Sequence, residues 1–363
     1  MVVKLLHTAD WQLGLKLRFI TGETAARLRA QRFDTIRRIA EIAHEAGVDL
    51  VVVAGDVFDD NGVGGDTLQQ AADALRTFGT IPVLLIPGNH DPGTPDSALQ
   101  RMPRLEHVHV ATEREVLHLG GVQVYPCPLT RRHERDDPTA WLPAREPEDG
   151  IRIAVAHGGA IAFGESTETP NLIDVPGVIS KGFDYLALGD WHGVYRVNER
   201  AWYSGAHEAT RFKEQTPGHV LLVDIDGPGA LPRVEQVPVA RSRWLRHAVE
   251  FHDDAQVREL EDWLEALLER SWTLLELELS GQLSLSARAR LDQLLDEHGE
   301  RLAYLRFTDE VLAEPTEADL EQMSGEGFIG EVVDTLRAGE TPEDRDALRL
   351  LHRLMKGRTD AVD

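Results

Sequence analysis

Residues 50–59 read Leu-Val-Val-Val-Ala-Gly-Asp-Val-Phe-Asp, an apolar run that ends in a glycine and two carboxylates. The run has the length of a strand and is rich in β-branched residues, which favours a buried strand. Its lack of polar alternation is typical of a strand covered on both faces. The glycine and carboxylates that follow predict a tight turn with polar side chains at the end of that strand.

Similar apolar runs recur through the first two thirds of the chain and alternate with amphipathic stretches. This alternation predicts an α/β domain of layered sheets and helices over residues 1–240. The predicted strands are Val2 to Leu6, Leu50 to Ala54, Val83 to Ile86, Val122 to Tyr125, Ile151 to Ala156, Tyr185 to Leu188 and Val220 to Asp224, and the predicted helices are Thr24 to Ala46 and Thr67 to Phe78.

A cluster of proline and glycine over residues 227–238 interrupts this pattern and predicts a domain boundary near residue 240. Beyond it the pattern predicts a smaller βαβαβ domain over residues 241–312. Residues 313–363 are rich in acidic residues with amphipathic pieces, and we expect a helical or partner-binding tail. The strands of the smaller domain are predicted at Leu245 to Phe251, Thr273 to Leu279 and Leu302 to Phe307, and its helices at Gln256 to Arg270 and Ser286 to His298.

Composition narrows the class of protein. Of 363 residues, 42% are hydrophobic and 28% are charged, as in ordinary globular proteins. The single cysteine, Cys127, excludes an internal disulfide and a thiolate metal cluster, so a bound metal would need imidazole and oxygen ligands. The absence of a long apolar run or of a leader-like N-terminus favours a cytoplasmic protein without membrane contact. A net charge of −24 argues against a broad basic surface for nucleic acid, although bound cations and a local basic rim can offset it at one cleft.

Polar side chains follow five of the predicted strands directly. Because the carboxyl ends of strands in an open α/β sheet form its ligand-binding edge, we expect these side chains to converge. Carboxylate, amide and imidazole together are suitable ligands for divalent cations. The segments are Asp10-Trp11-Gln12, Gly55-Asp56, Gly88-Asn89-His90-Asp91, His157-Gly158 and Gly189-Asp190-Trp191-His192.

These segments resemble those of the calcineurin-like binuclear metallophosphoesterases, in particular the SbcD-type DNA repair nucleases. Within that group they are most similar to the stand-alone bacterial manganese-dependent branch. The segment Tyr203-Ser204-Gly205 resembles one that follows the last ligand in that branch, and the βαβαβ unit resembles its DNA-capping domain. The resemblance covers about residues 1–310 and implies a sandwich of mixed sheets flanked by helices.

The resemblance also implies a role for each polar residue. Asp56 would bridge two metal ions, with Asp10, Gln12 and His192 completing the first site. Three further ligands would complete the second site, namely Asn89, His157 and Asp190. His90 would face the scissile phosphate, with Asp91 behind it fixing the ring.

Two ligand positions depart from the commoner family pattern. Gln12 and Asp190 stand where that pattern has histidine, so the site is richer in oxygen. Oxygen ligands favour Mn²⁺ or Mg²⁺ over Zn²⁺, and we expect two manganese ions per chain.

The resemblance implies hydrolysis of a phosphodiester by hydroxide formed between two cations ~3.5–4 Å apart. A protonated His90 would assist as a general acid toward the leaving oxygen. Substrate contacts are predicted at local cations, Arg211 and Lys213 after the Tyr-Ser-Gly segment and Arg131 and Arg132 in an arginine-rich stretch.

Three functions remain open on the sequence alone. The first is a DNA nuclease acting in repair on single-stranded or unpaired DNA, by an endonuclease or exonuclease mode, with a repair helicase, ligase or ATPase as partner and a possible homodimer. The second is a small-molecule phosphodiesterase, such as a cyclic-nucleotide phosphodiesterase, which suits the acidic net charge. The third is a non-catalytic interaction subunit that acts through its acidic tail.

Overall fold

A computed structural model describes residues 2–160, 170–314, 328–339, 341–344, 346–348 and 350–351. Part of the predicted tail, residues 315–327 and 352–363, therefore lies outside the described residues. The chain divides into two compact units, Met1–Ser242 and Arg243–Asp363.

The first unit alternates strands and helices as the apolar pattern predicts. Its strands are β1 Val3–Thr8, β2 Leu50–Ala54, β3 Val83–Ile86, β4 Val108–Val110, β5 Leu117–Leu119, β6 Val122–Cys127, β7 Arg152–His157, β8 Gly159–Ala160, β9 Leu172–Ile173, β10 Tyr185–Gly189, β11 Tyr195–Arg196, β12 Ala201–Tyr203, β13 His219–Ile225 and β14 Arg233–Pro238. Its helices are α1 Gly22–Ala46, α2 Gly65–Leu75, α3 Ala98–Arg101 and α4 Val175–Ser180, with a 3₁₀ turn at Arg76–Phe78.

Two six-stranded mixed sheets form the centre of this unit. One has the order β14-β13-β1-β2-β3-β4, in which β1, β2, β3 and β4 run parallel to one another. The other has the order β11-β12-β10-β7-β6-β5, in which β12, β10, β7 and β6 are parallel. Antiparallel strands complete one edge of the first sheet, at β13 and β14, and both edges of the second, at β11 and β5.

Three apolar clusters hold the layers together. The inner faces of the two sheets share one cluster, in which residues of β2 such as Val52 meet residues of β7 such as Val155. The outer face of the first sheet packs on α1 and α2, and the outer face of the second sheet packs on α4. Both sheets are thus covered on both faces, which explains their continuous apolar strands. The predicted layered α/β sandwich is confirmed.

The functional edge follows from this topology. Because β1, β2 and β3 run parallel, their carboxyl ends lie at the same edge of the first sheet. β7 and β10 likewise run parallel in the second sheet. A hydrogen bond from His157 Nδ1 at the end of β7 to the carbonyl oxygen of Ala54 at the end of β2, 2.8 Å long, brings the two edges together.

The second unit is a βαβαβ unit, as predicted. Its elements are β15 Arg243–Phe251, α5 Ala255–Glu265, β16 Thr273–Ser284, α6 Leu285–Arg301 and β17 Tyr304–Glu314, with a 3₁₀ turn at Arg270–Trp272. The three strands form one parallel sheet in the order β15-β16-β17, and both helices share its apolar core. A further helix, α7 Phe328–Gly339, contributes Val333 to a small cluster with Leu285 and Leu348.

Within the described ranges, no helix combines the length and apolar character that crossing a membrane requires.

Candidate metal centre

The segments after β1 and β2 run side by side. Asp10 N donates to Gly55 O at 3.1 Å, and Gln12 N donates to Asp56 O at 2.8 Å. Asp10, Gln12 and Asp56 all have positive φ angles, of 53°, 41° and 51°. Such a conformation is costly for a residue with a side chain, and clustered cases of this kind occur at functional sites. The backbone turns so that these polar side chains share one small volume.

Three buried groups form the centre of the site. Asp10, Asp56 and His157 each offer a ligand atom, and these atoms lie within 4.8 Å of one another. All three side chains are buried, so their charges are removed from water. Burying carboxylates so close together is unfavourable unless a cation compensates them. The structure therefore forms a candidate metal site at Asp10, Asp56 and His157.

His157 is oriented as a metal ligand. Its Nδ1 donates to the carbonyl of Ala54, which leaves Nε2 without a proton in the neutral ring. This buried Nε2 has no hydrogen-bond partner, and it lies 3.4 Å from Asp56 Oδ1 and 3.7 Å from Asp190 Oδ1. Glycine is required beside it, because a Cβ on Gly55 would lie 2.3 Å from His157 Nδ1 and one on Gly88 would lie 2.3 Å from Asp56 Oδ1.

Asn89 and Asp190 adjoin this cluster. Asn89 Nδ2 donates to Asp190 Oδ1 at 3.2 Å, while the buried Asn89 Oδ1 has no hydrogen-bond partner. The backbone N–H of Asp190 donates to both carboxylate oxygens of Asp10, at 3.2 and 3.3 Å. Asp190 is the exposed member of the set, with 38% of its side chain accessible. An amide oxygen and a carboxylate are thus available on the solvent side of His157.

Gln12 and His192 form the other side of the site. The side-chain amide of Gln12 lies 3.1 Å from His192 Nε2, and His192 is buried. The opposite ring nitrogen, Nδ1, lies 2.5 Å from Glu214 Oε1. The structure therefore places all of the predicted ligands at one edge of the sandwich, in two adjoining groups. Their individual assignment to two ions stays a prediction.

The electrostatics show that the site is short of positive charge. Burial raises the pKa of Asp10 to about 6. Burial and the neighbouring Asp56 raise the pKa of Asp91 to about 8. For His157, burial alone would lower the pKa, but the carboxylates of Asp56, Asp10 and Asp190 outweigh it and raise the pKa to about 9. Each shift retains a proton in an anionic cluster, the kind of environment in which divalent cations displace protons.

The donor set fits divalent metal ions. Buried carboxylates of Asp10 and Asp56 lie beside the unpartnered imidazole nitrogen of His157, and Asn89, which has an unpartnered amide oxygen, adjoins them through Asp190. Oxygen and imidazole ligands of this kind suit manganese, magnesium or zinc.

His90 lies beside the cluster, and its ring partner differs from the one we predicted. Its Nδ1 is 2.9 Å from the carbonyl oxygen of Asp59, and the Asp59 carboxylate is 3.9 Å away. The carboxylate of Asp91 instead accepts from the backbone N–H groups of Gly88, at 2.8 Å, and Phe58, at 3.0 Å. The prediction that Asp91 fixes the His90 ring is therefore wrong. Asp91 ties the turns after β2 and β3 together, because its buried oxygens satisfy their amides.

The Tyr-Ser-Gly segment frames the ligand turns. Tyr203 Oη donates to Gly158 O at 2.7 Å and accepts from Ala160 N at 2.8 Å, which fixes the chain directly after His157. Ala206 N donates to His192 O at 3.0 Å. The segment thus supports ligand turns from two strands, although its side chains are not themselves candidate ligands.

A buried arginine supports the first ligand turn. Arg32 of α1 donates from Nε to Trp11 O at 2.9 Å and from Nη2 to Asp10 O at 3.5 Å. Its Nη1 donates to the carbonyls of Glu208 and Ala209. The sequence did not indicate Arg32 or Glu214, because each lies in an ordinary polar stretch and contacts the site only through the fold; it indicated Asp59 as a polar residue after β2 but not as the partner of His90.

The predicted substrate residues fall into two groups. Arg211 and Lys213 line a cavity of about 260 Å³ together with Asp190, Trp191 and His192, next to the candidate ligands. Arg131 and Arg132 are exposed after β6, in a stretch anchored by bonds from Gly93 N to Leu129 O and from Asn171 Nδ2 to Arg132 O. Among the described residues, the structure does not bring these two arginines into hydrogen-bonding contact with the candidate ligands.

A two-sheet α/β sandwich with buried carboxylates and imidazole at its edge is the arrangement of a metal-dependent phosphoesterase. The comparisons with known proteins agree. The family model "Calcineurin-like phosphoesterase" matches residues 3–225, and the chain belongs to the calcineurin-like phosphoesterases.

Similarity to individual proteins is more distant. The chain is 26% identical over 333 residues to the D subunit of the SbcCD nuclease of Bacillus subtilis (strain 168), an alignment that covers 80% of this chain and 82% of that protein. Among solved structures, the crystal structure of the Thermus thermophilus protein TT1561 has 12% identity and a TM-score of 0.40, covering 66% of this chain and 100% of that one.

Proposed function

We propose that this protein is a binuclear, manganese-dependent nuclease that hydrolyses phosphodiester bonds of DNA, with single-stranded or unpaired DNA as its substrate. The observation that carries the proposal is the group of buried acceptor atoms around Asp56, which has His90 and the cavity lined by Asp190, His192, Arg211 and Lys213 as neighbours. The similarity to a component of a nuclease supports DNA as the substrate.

We assign the ligands as the family resemblance implies. Asp56 would be shared by the two ions, Asp10, Gln12 and His192 would complete one site, and Asn89, His157 and Asp190 would complete the other. Ions held there would supply hydroxide from water at neutral pH and would neutralise the charge that develops on the phosphate. Manganese is favoured because Gln12 and Asp190 contribute oxygen ligands where imidazole is commoner.

His90 acts on the leaving group. Its ring is partly exposed, with 33% of the side chain accessible, and its Nδ1 is engaged by the carbonyl oxygen of Asp59. When Nδ1 donates to that carbonyl, Nε2 is directed away from Asp59 and can carry the proton that the departing deoxyribose oxygen needs. General-acid assistance of this kind contributes about 10²–10⁴-fold in rate.

Substrate phosphates are attracted locally in spite of the acidic net charge. Arg211 and Lys213 line the cavity beside Asp190 and His192, so they offer positive charge next to the metal centre. Electrostatic attraction at one cleft depends on local charge more than on the net charge of −24. We assign residues 1–240 to catalysis, residues 241–312 to a capping domain with possible DNA contact, and residues 313–363 to partner binding.

The test is cleavage of circular single-stranded DNA by the purified protein with Mn²⁺. We expect circles to be cut, EDTA to stop the reaction, and the His90→Asn variant to cut about 10²–10⁴-fold more slowly. Because an aryl phosphate has a better leaving group, the same variant should retain more activity on p-nitrophenyl phosphate. Circular and linear single strands both left intact under conditions that hydrolyse a simple phosphodiester would reject DNA as the substrate, whereas cleavage of linear strands alone would indicate an exonuclease.

A small-molecule phosphodiesterase is the second candidate. The acidic net charge and the modest cavity of about 260 Å³ favour a ligand such as a cyclic nucleotide. Hydrolysis of cyclic nucleotides at micromolar concentration, with DNA untouched, would decide for it. A cytoplasmic location, a repair helicase, ligase or ATPase as partner, and a homodimer stay predictions.

A further inference from the structure

Glu214 lies between the predicted metal ligand His192 and the cavity lined by Arg211 and Lys213. It is buried, with 5% of its side chain accessible, in a polar loop where exposure would be ordinary. Its Oε1 is 2.5 Å from His192 Nδ1 and 3.3 Å from Arg211 Nε, and its Oε2 accepts from the backbone N–H of Thr210 at 2.8 Å. The hydroxyl of Thr210 also donates to Oε1.

These contacts determine the state of the His192 ring. A carboxylate only accepts, so the proton between Glu214 and His192 belongs to the ring nitrogen Nδ1. The other nitrogen, Nε2, then carries a lone pair and faces the Gln12 amide at 3.1 Å, on the side of the candidate metal centre. Carboxylates that accept from the second nitrogen of a ligating histidine fix its tautomer and raise its basicity.

We infer that Glu214 is a positioning residue: it holds His192 in the tautomer and orientation that bind metal, and it anchors to that ligand the loop that carries Arg211 and Lys213. The inference rests on the proposed metal centre. Glu214 would then link metal binding at His192 to the position of the predicted substrate-binding residues Arg211 and Lys213.

The substitution Glu214→Gln tests this role, because both carboxylate oxygens of Glu214 accept hydrogen bonds at the same time. One oxygen accepts from His192 and the other from Thr210 N. Glutamine is isosteric but has one acceptor oxygen, so it can satisfy the ring or the loop, but not both. Asp226→Asn is the matched control, since it neutralises an exposed carboxylate of the same unit whose partner is Arg233.

The experiment measures Mn²⁺ binding to full-length wild type, Glu214→Gln and Asp226→Asn by titration with detection of free Mn²⁺ by electron paramagnetic resonance. We expect Glu214→Gln to lose about 10–100-fold in affinity for one of two ions, and Asp226→Asn to bind as the wild type does. Wild-type affinity for both ions in Glu214→Gln would overturn the inference. A wild type that binds no Mn²⁺ would remove the proposed centre itself, and the inference with it.

A second measurement needs no variant and covers the case in which Glu214→Gln does not fold. The ¹⁵N chemical shifts of the His192 ring in wild type loaded with diamagnetic Zn²⁺ report which nitrogen carries the proton. A proton on Nδ1 and none on Nε2 supports the inference. A proton on Nε2 contradicts it.

Discussion

The two units each present the carboxyl ends of parallel strands, yet they use their polar residues differently. At the edge of the second unit, Asp254 accepts from the N–H and hydroxyl of Ser284 at 2.9 and 2.6 Å, and Asp253 accepts from the N–H groups of Ala255 and Gln256. At the edge of the first unit, the buried acceptor atoms of His157 and Asn89 have no hydrogen-bond partner.

The size of the adjoining cavity does not explain why the two edges differ. The cavity at the edge of the second unit measures about 950 Å³, against about 260 Å³ beside the candidate metal centre. The edges differ in how their polar groups are satisfied. In the second unit carboxylates accept from donors at helix starts. In the first unit carboxylates also accept from backbone N–H groups, but they lie within 4.8 Å of one another and of an imidazole nitrogen that has no hydrogen-bond partner. Unpaired buried polar atoms are costly, and a metal ion would complete them. We therefore expect the same kind of substitution to act very differently at the two edges.

The largest expected effect comes from removing the central carboxylate of the first unit. We expect Asp56→Asn to lower phosphodiester hydrolysis by about 10³-fold or more, since metal ions supply several kcal/mol of charge stabilisation in the transition state. Initial rates of phosphodiester hydrolysis with saturating Mn²⁺ measure the loss. A variant that keeps its activity would contradict the proposed centre.

A smaller effect is expected from pH in the absence of metal. The pKa values of Asp10 and Asp91 rise from 3.8 to about 6 and about 8, and that of His157 rises from 6.5 to about 9. The folded state therefore binds more protons than the unfolded chain between these values. The stability that these protons contribute is present at low pH and is lost as pH rises through the folded pKa values.

In EDTA, we expect the free energy of unfolding to fall by at least about 1.4 kcal/mol, the equivalent of one pKa unit, between about pH 5.5 and pH 9. Because bound cations replace the protons, saturating Mn²⁺ should remove most of this slope. Urea denaturation at several pH values measures the free energy of unfolding in EDTA and in saturating Mn²⁺. Equal slopes with and without metal would show that the carboxylate cluster is not the metal site.

Much of the fold was predictable because apolar runs in the sequence indicate buried strands. The prediction of the first strand was short: β1 continues through His7 and Thr8, which are polar but buried. His7 is accommodated because its ring contacts Tyr185 Oη at 3.0 Å and Leu188 O at 3.2 Å between the two sheets. Such partners lie far away in the sequence, so periodicity alone could not reveal them.

The candidate site was predictable in its residue types but not in its supporting contacts. Glycines and carboxylates at strand ends indicated where ligands would converge, because the topology of parallel strands fixes that edge. The partners of His90 and His192 depend on loop geometry, and here Asp59 and Glu214 provide them. Asp91 looked like the partner of its neighbour His90, but adjacent side chains in a turn need not face each other.

The smallest effect is expected from the same chemical change at the edge of the second unit. Asp254→Asn keeps one acceptor for Ser284 but replaces the other with a donor, so we expect a loss of about 0.5–1.5 kcal/mol in the free energy of unfolding. Mn²⁺ affinity and p-nitrophenyl phosphate hydrolysis should be those of the wild type, because this carboxylate is satisfied within its own unit. Urea denaturation and Mn²⁺ titration of the full chain measure the two quantities. If Asp254→Asn weakened Mn²⁺ binding as Asp56→Asn does, hydrogen-bond satisfaction would not distinguish a capping carboxylate from a metal ligand in this protein.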